Sequence, residues 1–281
     1  MKNFITRAVS GVIFVAIMVL GMAVNGVAMT FLFTLVTTMT VWEFTGLMNE
    51  HHGCGVNRFI TTAAGGYLYL AFAGFCSGIT PPVVFVPYLL TLVYLFISEL
   101  YLQQPRPIDN WAYAMLSQLY IALPLSMINV LGFTYDTVEG LTRFTGMLPL
   151  CVFVFLWMND TGAYCVGSLL GRHKLFARIS PGKTWEGSIG GGVLVLLVAA
   201  LVSRLSFVDY PLSLVQWLGL GLVVVVFGTW GDLVESLLKR TLGIKDSGKI
   251  LPGHGGMLDR FDSSLMALPA AVVYLYTLSL L

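Results

Sequence analysis

LVQWLGLGLVVVVFGTW (residues 214–230), GDLVESLLKRTLGIKDSGKILPGHGGMLDRFDS (231–263) and SLMALPAAVVYLYTLSLL (264–281) run consecutively: apolar, charged, apolar. A membrane-spanning helix needs about 20 mostly apolar residues, and the two outer runs have that character. The middle stretch gathers Asp232, Glu235, Lys239, Arg240, Lys245, Asp246, Lys249, His254, Asp259, Arg260 and Asp262. Ionisable groups placed this close to hydrocarbon are expensive and mark function. The stretch therefore reads as the working end of a membrane protein, held between two spanning helices.

Composition agrees. Of 281 residues, 57% are hydrophobic and only 10% charged, and the mean hydropathy is +0.85. A soluble domain carries about 25% charged residues, so the fold class expected is an all-α polytopic membrane protein. The net charge of +1 comes with no basic tract, so no nucleic-acid partner is expected. Cys54, Cys76, Cys151 and Cys165 lack CxxC spacing and lie in or beside apolar segments, which makes them small buried hydrophobes. Lys2 and Arg7 ahead of the first apolar run imitate a signal peptide. No small-residue cleavage site follows, so that run is read as a first membrane helix.

Nine spans are expected, at about 9–24, 27–48, 59–76, 83–101, 111–131, 146–169, 188–207, 214–230 and 264–281. The first is short and joins the second through Asn25-Gly26. With the N-terminus cytoplasmic, all of the 15 Lys and Arg residues except Arg143 and Arg204 fall inside. That is the positive-inside asymmetry, and it places the C-terminus outside. The chain is expected to form a single integral-membrane domain, with residues 1–131 as scaffold and 146–281 as the catalytic part. Loop 132–145 reads as a solvated connection. Glu43 and Glu99, near the cytoplasmic ends of their spans, are weaker candidates for a polar role, the alternative being that they simply reach the interface.

The chemistry concentrates in three places. Asp232, Glu235, Ser236 and Lys239 share one helical face at the end of the eighth span, and Asp259 and Asp262 stand three apart at the start of the ninth. Carboxylates on two helix ends flanking a Gly-rich loop suit a hard cation such as Mg²⁺. Lys245, Lys249, His254 and Arg260 can meet phosphate charge, and Gly253, Gly255 and Gly256 let backbone amides approach an oxyanion. Helix-capping ion pairs would explain any one of these residues but not the set. The second place, Ser180-Pro181-Gly182-Lys183-Thr184, resembles half a phosphate loop without the full Walker spacing; Lys183 and Thr184 are its phosphate contacts. Nearby Arg172, Lys174 and Arg178 serve equally well as anchors to anionic lipid. Gly187, Gly190, Gly191 and Gly192 allow either close helix packing or close approach to a ligand. The third place is Asn159, Asp160 and Thr161 inside the sixth span, expected to face a polar cavity. His51, His52 and His173 are given no role.

The run Ser236-x-Leu238-Lys239-Arg240, Lys245-Asp246-x-Gly248, Leu251-Pro252-x-His254-Gly255-Gly256-Met257-x-Asp259-Arg260-Phe261-Asp262 resembles the signature of the phosphatidate cytidylyltransferase family. Residues 159–164 and 180–187 resemble it too, so the likeness covers about 155–281. The resemblance implies transfer of the cytidylyl group of CTP to phosphatidic acid, giving CDP-diacylglycerol and pyrophosphate. It implies a homodimer in a bacterial-type inner membrane, in contact with membrane lipids, with the active site on the cytoplasmic side. It also implies a paired-cation centre of Mg²⁺ and a second cation, which could be monovalent. Asp232, Asp259 and Asp262 would hold metal. Lys183, Lys239, Arg240, Lys245, Lys249 and Arg260 would contact phosphates, with Ser180, Thr184, Asp246, His254, Gly255, Gly256, Asn159 and Asp160 completing the nucleotide site. A CTP-dependent lipid kinase and a secondary transporter are the alternatives; the clustering of polar groups at one face argues against transport.

Overall fold

The computed structural model describes residues 2–136, 139–205, 212–248 and 255–279. Among them, eight helices are long and apolar enough to cross a membrane. A further helix at the N-terminus, α1 (Lys2–Ala23), has the shorter apolar portion Val9–Ala23. The others are α2 (Gly26–His52), α3 (Arg58–Cys76), α4 (Val86–Leu102, entered through a 3₁₀ turn at Pro82–Phe85), α5 (Pro107–Gly132), α6 (Met147–Leu170), α7 (Trp185–Val202), α8 (Leu214–Thr241) and α9 (Leu258–Ser279). The all-α polytopic architecture is as expected. Helix starts follow from capping chemistry, in which a short polar side chain accepts an otherwise unpaired backbone N–H. Asn25 accepts from Ala28 N at 2.8 Å, and Asn57 accepts from Ile60 N at 3.1 Å. Ser213 and Gln216 form a reciprocal capping box at the start of α8.

Two connections differ from expectation. Loop 132–145 contains the hairpin β1 (Phe133–Asp136) and β2 (Leu141–Phe144). The segment after α6 contains β3 (Lys174–Phe176) and β4 (Ser180–Thr184). Each ladder is too short to show alternating polarity in sequence, so nothing announced them.

The chain divides into two compact units. One comprises Met1–Gly146 with Ile244–Phe261. Its core is aromatic: buried Phe33 stacks on Tyr69 at 6.4 Å and meets Phe261 edge-on at 6.1 Å. Such geometry adds about 0.5–1.5 kcal/mol to area burial. Some hydroxyls within the helices are satisfied locally, as where Thr40 and Thr45 donate to Val36 O and Val41 O. Helix α5 relaxes to a π-helical turn over Gln118–Ala122. Pro124, just beyond it, has no N–H for a regular i→i−4 bond.

The other unit comprises Met147–Gly243 with Asp262–Leu281. Here α7 lies directly against α6. A Cβ at Gly191 would sit 2.6 Å from Asn159 O, and one at Gly162 would sit 2.9 Å from the Cα of Gly191. Only glycine permits that approach, so packing is the use these small residues serve in this pair. Phe155 meets Trp217 of α8 edge-on at 6.3 Å, and Tyr274 of α9 donates to Gln216 O at 3.0 Å.

Candidate functional site

In the second unit the predicted polar step opens onto a cavity. Asn159, Asp160, Tyr164 and Ser168 of α6, Lys183 and Thr184 of β4, Ser188 of α7 and Thr229 of α8 line a space of about 410 Å³. This falls in the size range of small-ligand pockets, about 300–1,000 Å³. The buried Asn159 places its Oδ1 without a hydrogen-bond partner among the described residues. Asp160 and Thr161 are exposed, and the Thr161 hydroxyl returns to Trp157 O at 2.8 Å.

Helix α8 continues past its apolar run to Thr241, so Asp232 to Arg240 lie on helix rather than in a loop. Lys183 forms an ion pair with Asp232, and both side chains are about a quarter exposed. Ser236, one turn on, donates to Asp232 Oδ1 at 3.1 Å. The adjacent Gly231 lets α9 come close: its Cβ would meet Asp262 O at 2.6 Å. That contact brings Asp262 alongside Asp232, where the charges of Asp232, Asp160 and Lys183 act on it. The charges of three carboxylates thus meet that of the Lys183 ammonium, an arrangement that favours added positive charge. Among the described residues, no group of three or more His, Cys, Asp and Glu side chains is gathered tightly enough to hold a metal ion.

The hairpin that carries Lys183 is tied down at its base. Glu186, in the first turn of α7, accepts from the backbone N–H groups of Arg172 (3.1 Å) and His173 (3.2 Å), and lies 2.5 Å from His173 Nδ1. Thr184, buried, caps α7 by accepting from Gly187 N at 3.1 Å. Its hydroxyl therefore serves the helix as well as the cavity wall. Sequence reasoning left His173 without a role and gave Glu186, within 180–187, no partner; their pairing spans 13 positions and has no motif.

Lys239 forms an ion pair with Glu235 at 2.5 Å, and Glu235 is fully buried. Arg240 donates to Ile179 O at 3.4 Å, linking α8 to the hairpin. Ser180 is half-buried in β4.

In the first unit, Asp259 organises the Gly-rich loop. Its Oδ2 accepts from Ser247 N (2.8 Å), Ser247 Oγ (2.9 Å) and Gly256 N (2.8 Å). Gly255 adopts φ +80°, and a Cβ there would lie 2.4 Å from Asp259 Oδ2, so the position requires glycine. Lys245 and Asp246 are exposed on the same loop, and Arg260 is exposed on α9. Lys249 and His254 lie outside the described residues.

Glu43 and Glu99 do not simply reach the interface. Both are 8% exposed. Glu99 accepts from Asn110 Nδ2 at 3.0 Å, and Asn110 in turn accepts from Gly55 N at 2.8 Å. Glu43 accepts from Ser247 Oγ and from the amides of Met257 and Leu258. An unpaired buried carboxylate is prohibitive; Glu99 takes its donor from the start of the next helix, 11 positions on, and Glu43 takes its donors from more than 200 positions away.

The family model described as "Cytidylyltransferase family" matches residues 5–278. A protein of Staphylococcus aureus (strain COL) named phosphatidate cytidylyltransferase is 45% identical over 159 residues, 56% of this chain and 56% of that protein. One from Staphylococcus haemolyticus with the same name matches to the same extent. One from Staphylococcus epidermidis is 51% identical over 120 residues, 43% of this chain and 45% of its own length. The chain thus aligns with about half the length of these relatives.

Proposed function

Because this chain belongs to the cytidylyltransferase family, we propose that it transfers the cytidylyl group of CTP to phosphatidic acid, as the names of its relatives describe for them. The observation that carries the reading is the Lys183–Asp232–Asp262 group beside the cavity that Asn159, Asp160, Ser188 and Thr229 line. A phosphatidate oxygen attacks the α-phosphorus of CTP, the bond from that phosphorus to the β-bridging oxygen breaks, and pyrophosphate leaves. The lipid phosphate is ionised at neutral pH, so no general base is assigned. In phosphoryl-type transfer the protein mostly positions groups and stabilises charge.

The carboxylates suit a hard cation, since Asp232 and Asp160 both act on Asp262 with like charge and Lys183, paired with Asp232, offsets only part of it. Asp232 and Asp262 would hold Mg²⁺. When bound, it would screen the repulsion between two anionic substrates and stabilise the leaving pyrophosphate. Lys183 sits on the cavity wall and can exchange Asp232 for a nucleotide phosphate. Asp259 acts in the same reaction as a carboxylate ordered by its own loop. A second, monovalent cation, phosphate contacts from Arg240, Lys245, Lys249, His254 and Arg260, a homodimer, and an inner-membrane site open to the cytoplasm complete the proposal.

The test is the full chain in detergent with Mg²⁺, phosphatidate and CTP labelled at the α-phosphate. Label should enter a lipid only when phosphatidate is present, with release of pyrophosphate. Release of cytidine diphosphate would instead identify a CTP-dependent lipid kinase, and absence of any phosphatidate-dependent product would refute the reading.

A further inference from the structure

We propose that Glu43 is a positioning residue for Asp259, acting from α2 through Ser247 and the first amides of α9; the proposal rests on the reaction proposed above. The carboxylate of Glu43 takes three donors. Oε1 accepts from Ser247 Oγ at 2.5 Å and from Leu258 N at 3.1 Å, and Oε2 accepts from Met257 N at 2.9 Å. Met257 and Leu258 open α9, where N–H groups have no partner within the helix and the dipole favours an anion. Glu43 fills that position from a helix more than 200 residues earlier in the chain.

The same contacts reach Asp259. The Ser247 hydroxyl lies 2.5 Å from Glu43 Oε1 and 2.9 Å from Asp259 Oδ2, so its single proton is shared between two carboxylates. Ser247 N and Gly256 N both donate to Asp259 Oδ2. The two strands of the loop, 244–248 and 255–258, are therefore pinned to Glu43 on one side and Asp259 on the other. The loop glycines fit this geometry. A Cβ at Gly248 would come within 2.6 Å of Glu43 Oε2, and one at Gly256 would come within 2.1 Å of Oε1. These glycines thus make room for a buried carboxylate of the chain itself, a use distinct from clearing space for a substrate.

Glutamine cannot take over. It offers one acceptor oxygen and a donor NH₂, so at least one buried backbone N–H would face another donor. A lost bond to a charged acceptor corresponds to a change of about tenfold to a hundredfold in an equilibrium or rate.

The experiment compares the full-length wild type with Glu43→Gln in detergent. We expect kcat for CDP-lipid formation to fall about tenfold to a hundredfold, with KM for CTP and phosphatidate little changed. Amide hydrogen exchange should accelerate about tenfold or more in peptides covering 244–248 and 255–259, and stay at the wild-type level in 147–205. Wild-type kcat, wild-type exchange in the loop peptides, or faster exchange throughout the chain would each overturn the proposal. Should Glu43→Gln not fold, Ser247→Ala removes only the shared hydroxyl and should slow turnover about fivefold with faster loop exchange; no change in either measure refutes the proposal. In the double variant the two losses should not multiply, because they act on one network; full multiplication counts against it. A wild-type chain that forms no CDP-lipid would refute the proposed reaction, while the exchange comparison would still decide whether Glu43 holds the loop.

Discussion

At the scale of single residues, the candidate site separates charged groups gathered around Lys183 on the cavity wall from groups that hold helices. Replacing Asp232 or Asp262 by Asn removes charge with little change in shape. Turnover should fall about a hundredfold or more while the detergent-solubilised melting temperature stays near wild type; near-normal turnover in both would remove them from the chemistry. Lys239 belongs on the other side of this division. Its partner Glu235 is wholly buried, and removing one member of a buried pair costs about 3–5 kcal/mol. Lys239→Ala should therefore lower stability by roughly that amount, seen as a drop in melting temperature. The double variant Glu235→Leu/Lys239→Met should recover both stability and turnover; recovery of stability without turnover would return Lys239 to the phosphate site. Sequence alone placed Lys239 beside Asp232 on one helical face, and it does lie one turn beyond Ser236. The buried charge beneath it could not be read there, because exposure depends on neighbours far along the chain.

At the scale of elements, legibility follows the range of the force involved. Spans of about 20 apolar residues declare themselves, since hydropathy is a local sum. The eighth is the instructive exception: its apolar run stops at Trp230, yet α8 continues to Thr241. The spacing of Asp232, Glu235, Ser236 and Lys239 already carried that message, because only a helix places them on one face. The two hairpins had no comparable signal. Glu43 is the extreme case, since its donors lie 204 to 215 positions away. The α6–α7 crossing is a place where an element-scale change should be felt. Gly191→Val would push its Cβ onto the Asn159 backbone and force the helices apart, costing about 1–3 kcal/mol. Both melting temperature and CTP-dependent turnover should fall, because Asn159 and Asp160 line the cavity from the same helix. A variant with wild-type melting would show that the crossing tolerates separation.

At the scale of the whole molecule, the proposed orientation makes the two hairpins opposites. With native cysteines removed, a single cysteine at Glu139 should label with a membrane-impermeant maleimide in intact cells, and one at Lys174 only after permeabilisation. The reverse pattern would invert the proposed topology, and labelling of both from one side would change the number of crossings. The β3–β4 hairpin has a further property that follows from how it is held. Its base is clamped by Glu186 to the amides of Arg172 and His173, and Thr184 locks the exit strand to α7. Its tip, at Ala177 and Arg178, is exposed. Lys183 is thus registered from below, and the tip is free of that duty. A short epitope or a small fluorescent domain spliced between Ala177 and Arg178 should leave catalysis intact, making this turn a natural handle by which the protein can be tagged, captured and watched in its membrane.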